Sequence, residues 1–456
     1  MIRAFLEKVG LLAKTSSDQG RSQVLLTPVI IPRSEHGISR ANISENALKV
    51  LYRLHRNAYE AYLVGGGVRD LLLGLHPKDF DVVTNAKPDE IRKIFRNCRL
   101  IGRRFRLAHI HFGHDIVEVA TFRGKAESAS DEDHSHSAHG MILRDNVYGT
   151  LEEDVWRRDF TINALYYNIA DFSLVDFVGG YADLKAKRLK MIGEVAKRYR
   201  EDPVRMLRAI RFACKVNFEL NSQLAAPIAE LKNLISHISS ARLFEEILKM
   251  FHSGVASQVY EHLKTYDLLK ELFPATAEAL QQKNYPTDAL LKAIFLSTDQ
   301  RIQEQKTVTP AFILAGLLWH PICLQAQKDI DHGMPFYPAR MKAMEDLLRK
   351  QSKKLSIPKR FVHGAREIWL MQMRLTRRYG KRPQTLMAEP RFRAAFDFLL
   401  LRAKAGEDVQ ELAKWWEDYI EADHSERRAM QKALVDKKRL KKSSADKASE
   451  QVKADD

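Results

Sequence analysis

Asp79 and Asp81 stand one residue apart in Asp79-Phe80-Asp81, shortly after three consecutive glycines, Gly65-Gly66-Gly67. Alternation along an extended segment puts both carboxylates on one face, where they repel each other unless a cation sits between them; such a pair is a natural seat for Mg²⁺. The glycines follow an apolar run, Ala61–Val64, and precede a helical pattern from Val68 to Leu73. Glycines at a strand-to-helix turn let backbone N–H groups approach a phosphate closely, and the helix N-terminus adds a favourable dipole. Arg69, at the start of that helix, is placed to pair with phosphate oxygens. Glu118, in the strand-like run 116–122, presents a third carboxylate if its strand neighbours that of Asp81. A cation held there would clamp a triphosphate and activate an attacking hydroxyl, the chemistry of phosphoryl or nucleotidyl transfer.

Two further clusters extend this pattern. Arg157-Arg158-Asp159, followed by Asn163, combines residue types that fit triphosphate and sugar contacts, and Asp159 is an alternative third carboxylate. Glu201-Asp202-Pro203 opens a helix on which Arg205, Arg208 and Arg211 recur every three residues and share one face. Three like charges on one stripe need an anion or carboxylates opposite. Arg242, Glu245 and Glu246 on a neighbouring helix are candidate partners, whereas Asp202 with Arg205 has the donors and acceptors to read a base edge.

The elements that must position these groups change character along the chain. Strand and helix patterns alternate to about residue 170; beyond about residue 183 strand signals vanish and helical patterns continue to about residue 435, which predicts an α+β head followed by an all-α remainder. The expected units are a flexible segment 1–41, a catalytic head 42–180, a helical neck 181–265, a helical body 266–425 and a basic disordered tail 426–456. The stretch 124–140 is low in complexity, and the spacing of His134, His136 and His139 fits no common metal template; it reads as a flexible hairpin loop.

With 456 residues, 45% of them hydrophobic, the chain can bury more than one core, and 29% charged residues argue against a membrane protein. The apolar run 310–325 is too short to span a bilayer, and the first twenty residues lack a clean secretory core, so a cytoplasmic protein is expected. Three widely spaced cysteines exclude a disulfide framework. The net charge of +16 is concentrated: between Tyr337 and Arg382 fourteen Lys and Arg face three acids, and a second basic block covers 437–442. Two such blocks point to a polyanion, with nucleic-acid phosphates as the expected partner of Arg377, Arg378, Lys381 and Arg382.

Taken together, the segments 65–70 (GGGVRD), 79–81 (DFD), 157–165 (RRDFTINAL) and 201–212 (EDPVRMLRAIRF) resemble the motif set of class II nucleotidyltransferases, the group of bacterial poly(A) polymerases and CCA-adding enzymes. The resemblance covers roughly residues 45–260. It implies a palm-like head with a small mixed sheet, then helical neck, body and C-terminal region. It implies catalysis by Asp79, Asp81 and Asp159 with two Mg²⁺ on Asp79 and Asp81, and ATP held by Gly66, Gly67, Arg69, Asp70, Arg158, Asn163, Asp202, Arg205, Arg208 and Arg211. The stretch 100–110 (LIGRRFRLAHI) looks like the one that marks bacterial poly(A) polymerases. The implied reaction is therefore template-independent addition of AMP to RNA 3′ ends, with a CCA-adding activity as the alternative and RNA-degradation machinery as a further partner. A non-catalytic RNA-binding descendant would have lost a carboxylate, and all four candidates are present.

Overall fold

The computed structural model describes residues 27–102, 106–124, 134–136, 142–145 and 147–436. Ten strands are found among the described residues: β1 (Val29–Ile31), β2 (Ala61–Val64), β3 (Asp81–Thr84), β4 (Cys98–Ile101), β5 (Leu107–Phe112), β6 (Asp115–Thr121), β7 (His134–His136), β8 (Ile142–Asp145), β9 (Leu165–Asn168) and β10 (Leu174–Asp176). Eight of them form one mixed sheet in the order β1-β10-β9-β2-β3-β6-β5-β4, in which β3 and β6 run parallel and the other pairings are antiparallel. β7 and β8 form a separate two-stranded ribbon.

The sheet is covered unevenly, and this creates the site. β2 (AYLV) is buried along its whole length, as expected of a central strand packed on both faces. On one face lies the helix Glu45–Arg56, whose Ala47, Val50, Leu51 and Leu54 are wholly buried. Its acid-first, base-last ends suit the helix dipole. On the other face Tyr62, Val64, Val83, Phe122 and Tyr166 pack with Val155 from the helix Leu151–Arg157. Toward β6, β5 and β4 no second cover is found among the described residues: Glu118 is exposed and Ile116 is 45% exposed.

From Gly180 to residue 436 the named elements are helices only, and one apolar core runs from the head sheet through the neck helices to Trp369 in the body. A second core around Trp415, Trp416 and Tyr419 closes the C-terminal end. No helix among the described residues is long and apolar enough to cross a membrane.

Three expectations need correction. The expected flexible segment 1–41 supplies β1, which pairs with β10 and buries Ile31, and it continues through the buried Ile38; only its first 26 residues lie outside the described part. The expected disordered tail begins as a helix, 424–436, tied back by Arg427, which donates to the carbonyls of Tyr419 and Ile420. The basic block 437–442 lies outside the described residues, as does most of the loop 124–140. Finally, Asp79 precedes β3, which starts at Asp81, so the two carboxylates sit on a strand and its lead-in.

Candidate active site

The turn after β2 is built on Gly65, whose φ of 75° and ψ of −137° lie where only glycine is unstrained. The helix begins at once, with Gly66 as its first residue. A Cβ on Gly67 would come within 3.3 Å of the Asp79 carbonyl, so glycine here lets the turn lie directly against the Asp79-Phe80 lead-in.

Register then assembles the carboxylates. β3 pairs in parallel with β6 through Val82 and Val119, which sets Asp81 beside Glu118 one residue earlier. Asp81 is ringed by protein while its edge stays open to solvent. Desolvation and the neighbouring charges of Glu118 and Asp79 push its carboxyl up to about 6, against the opposing pull of Arg158 and of Lys249 from the neck. A carboxylate destabilised in this way is what a divalent cation relieves. Among the described residues no group of three or more His, Cys, Asp or Glu side chains is placed to hold a metal ion; Mg²⁺, which takes one or two carboxylates and completes its shell with water and substrate phosphate, does not require one.

Asp159 has a different task. Its Oδ2 accepts from Arg208 Nε at 2.6 Å, and its Oδ1 accepts from the Phe160 N–H at 2.9 Å and Asn163 Nδ2 at 3.3 Å. Burial opposes its charge, but Arg208 above all, then Asn163 and the Phe160 amide, hold the carboxyl down to about 2. Both of its oxygens are engaged within the protein, and none of these contacts joins it to Asp81.

The same network captures most of the side chains expected on nucleotide. Arg69 is 1% exposed; it donates to Asp70 Oδ1 through Nε at 2.9 Å and Nη2 at 2.5 Å, and to Asn163 Oδ1 through Nη1 at 2.7 Å. Asp70 in turn accepts from Lys215 at 3.0 Å. Lys215 and Arg208 belong to one neck helix, Val204–Val216, so the chain Lys215, Asp70, Arg69, Asn163, Asp159, Arg208 closes on itself and clamps neck to head. Phe212 lies inside it, with the guanidiniums of Arg69, Arg208 and Arg211 at 5.0, 5.1 and 4.3 Å from its ring.

Each arginine of the stripe finds a different carboxylate: Arg205 meets Glu201 at 3.1 Å, Arg208 meets Asp159, and Arg211 meets Glu246 at 2.6 Å. Of the expected partners on the helix Ser240–Phe251, Glu246 pairs as foreseen, whereas Arg242 grips Asp202 bidentately at 2.8 and 2.6 Å. Asp202 and Arg205 are thus held by separate partners. In this structure Arg69, Asp70, Asn163 and Arg208 spend their polar groups within this clamp, and Arg211 spends its own on Glu246.

Arg158 keeps a path to the site. Its Nε and Nη2 are held by Asp154 and by Tyr166, but Nη1 lies 3.9 Å from where a Cβ on Gly65 would stand. Burial lowers its proton affinity, and Tyr166 with Asp154 more than restores it, so the net shift is upward. Sequence reasoning missed Asp154, although its i, i+4 spacing to Arg158 was readable; it also missed Lys249 and His109.

The expected RNA contacts divide. Arg377, Lys381 and Arg382 line a cavity of about 260 Å³ with Arg374, Thr385 and Leu386. Beside it Tyr379 is 49% exposed with the Arg382 guanidinium 4.6 Å from its ring. Arg378 turns away and lies over Trp415 at 5.5 Å.

Solved structures share this fold: the Thermotoga maritima CCA-adding enzyme complexed with tRNA (TM-score 0.54, 20% identity, 84% of each chain) and the Bacillus stearothermophilus CCA-adding enzyme in complex with CTP (TM-score 0.53, 24% identity, 81% of this chain and 80% of the other). Family models match three stretches: the poly A polymerase head domain at 61–190, a probable RNA and SrmB-binding site of polymerase A at 217–280, and the polymerase A arginine-rich C-terminus at 332–449. Poly(A) polymerase I of Salmonella typhi is 48% identical over 95% of this chain and 94% of its own length, and that of Haemophilus influenzae is 44% identical over 86% and 87%. The CCA-adding enzyme of Bacillus pumilus is 34% identical over 52% of this chain and 57% of its own. The chain belongs to the bacterial poly(A) polymerase family.

Proposed function

We propose that this protein extends RNA 3′ ends with AMP from ATP without a template, and that Asp79, Asp81 and Glu118 are its catalytic carboxylates. The observation that carries the site is the parallel pairing of β3 with β6, which sets Asp81 beside Glu118. When bound, Mg²⁺ lowers the pKa of the attacking hydroxyl and neutralises charge on the departing oxygen. The backbone at Gly66 and Gly67 and the free Nη1 of Arg158 hold the triphosphate. The RNA 3′-hydroxyl attacks the α-phosphorus; its oxygen–phosphorus bond forms as the bond to pyrophosphate breaks, and the hydroxyl proton is released.

Asp202 and Arg205 read the adenine. A carboxylate has about four lone-pair positions, so Asp202 can hold Arg242 and still accept from the adenine amino group, with Arg242 fixing its orientation. The clamp from Lys215 to Arg208 keeps this base-reading helix at a set distance from the carboxylates. Arg377, Lys381 and Arg382 hold RNA phosphates while Tyr379 offers a face for stacking a base. The match of 217–280 to a probable RNA and SrmB-binding site supports contact with RNA, and we place the activity in RNA turnover in the cytoplasm, with RNA-degradation machinery as a further partner.

The test supplies purified protein and Mg²⁺ with a tRNA lacking its CCA end or with an unrelated oligoribonucleotide, adding each NTP singly and then ATP with CTP. Long ladders from ATP alone on both RNAs are expected. Addition that stops after CCA, on the tRNA only, would overturn the polyadenylation reading while keeping the chemistry.

A further inference from the structure

Beyond the carboxylates, the uncovered face of the sheet carries one cross-strand row. Asp81 of β3 neighbours Glu118 of β6; Glu118 pairs directly with His109 of β5; and His109 pairs with Arg99 of β4. Directly opposed residues project to the same face, so the four side chains form a line leading away from the metal seat.

His109 is the unexplained member. Its Nε2 lies 3.2 Å from Glu118 Oε1, is shielded from solvent, and makes no hydrogen bond of acceptable geometry. The side chain as a whole is 17% exposed while that of Glu118 is 49% exposed, so the ring is the fixed partner and the carboxylate the movable one. A buried donor left unmade costs about 1–3 kcal/mol. A small rotation of Glu118 satisfies it.

We infer that His109 is a positioning residue: its Nε2–H holds Oε1 of Glu118 and leaves Oε2 facing Asp81, so that the third carboxylate is oriented before the cation arrives. The inference rests on the reading of Glu118 as a metal carboxylate given above. The physical basis is general, because groups that fix a ligand's orientation strengthen metal binding, and their removal costs roughly tenfold or more in affinity.

The test measures Mn²⁺ binding to the full chain by the EPR signal of free Mn²⁺, with a non-hydrolysable ATP analogue present and no RNA. His109→Leu is expected to weaken Mn²⁺ binding roughly tenfold. His109→Gln, whose amide nitrogen reaches the place of Nε2, is expected to bind like the unaltered protein. If His109→Leu does not fold, as judged by circular dichroism, His109→Asn, which withdraws the donor, replaces it. Unchanged binding in the variant without the donor, or equal loss in His109→Gln, overturns the inference. Glu118→Gln separates the two readings. Loss there without loss in His109→Leu sinks the role of His109 alone, and undiminished binding in Glu118→Gln sinks the role of Glu118 and that of His109 with it.

Discussion

Arg208 of the neck donates to Asp159 of the head at 2.6 Å, and the acceptor is buried. This pair is one link in a ring of side chains that returns to the same neck helix at Lys215, seven residues on. The ring spans the junction between the helix that carries Arg205 and the turn that carries Gly66. Its effect is to set the spacing between that helix and that turn, which the proposed function assigns to base recognition and phosphate binding. Breaking one partner of such a buried pair strands the other charge and costs about 3–5 kcal/mol. Arg208→Met should therefore lower Tm markedly, and a double-mutant cycle with Asp159→Asn should show strong coupling. Additive effects would mean that the pair does not join the two parts.

Acid should reveal the same pair. The Asp159 carboxyl is depressed from 3.8 to about 2 in the folded protein, so its contribution to stability is present above the unfolded value and is lost as pH falls through about 2. Between pH 4 and about 2, the unaltered protein should lose its stability advantage over Asp159→Asn. A constant difference across that range would contradict the assignment.

Asp81 should behave in the opposite sense. Its folded value is raised from 3.8 to about 6, so the stability linked to its protonated form is full below 3.8 and lost as pH rises through about 6. At neutral pH without metal, Asp81→Asn should raise Tm. Millimolar Mg²⁺ should raise the Tm of the unaltered protein and leave that of Asp81→Asn unmoved, while AMP incorporation by the variant is abolished. A lower Tm for metal-free Asp81→Asn would show that the carboxylate is satisfied by the fold itself.

Arg69 distinguishes a structural from a ligand role. Because its guanidinium is spent on Asp70 and Asn163, Arg69→Met should chiefly destabilise the protein, by at least about 3 kcal/mol. An unchanged Tm with a raised KM for ATP would instead place Arg69 on the triphosphate.

The basic cavity near Tyr379 predicts a salt signature. Each phosphate contact on a single strand contributes a slope of about −0.7 in the logarithm of affinity against the logarithm of salt. Replacing Arg377, Lys381 and Arg382 together by Ala should flatten that slope by about 2. The same slope in the triple variant would remove these residues from the RNA path. Arg378→Ala, which loses its contact with Trp415, should instead act on stability.

What the sequence determined by itself was whatever depends on neighbours along the chain. The glycine turn, the nearness of Asp79 to Asp81 along the chain and the arginine stripe of 205, 208 and 211 depend on local spacing and the helix period, so they could be read directly, whereas the facing of Asp79 and Asp81 could not, because Asp79 lies ahead of β3. The division into a sheet-bearing head and a helical remainder was legible for the same reason. Partner choice was not. Asp159 and Arg208 are 49 residues apart, Arg69 and Asn163 are 94 apart, and no local rule distinguishes a guanidinium that meets a phosphate from one that meets a buried carboxylate. Whether Glu118 or Asp159 stood with Asp81 depended on the parallel pairing of β3 with β6, a contact between strands separated by a helix and two further strands. β1 escaped notice because three residues on a sheet edge carry too little pattern, and only the pairing with β10 makes them a strand. Residue types and periods announced the chemistry; long-range packing decided which charges remain free to perform it.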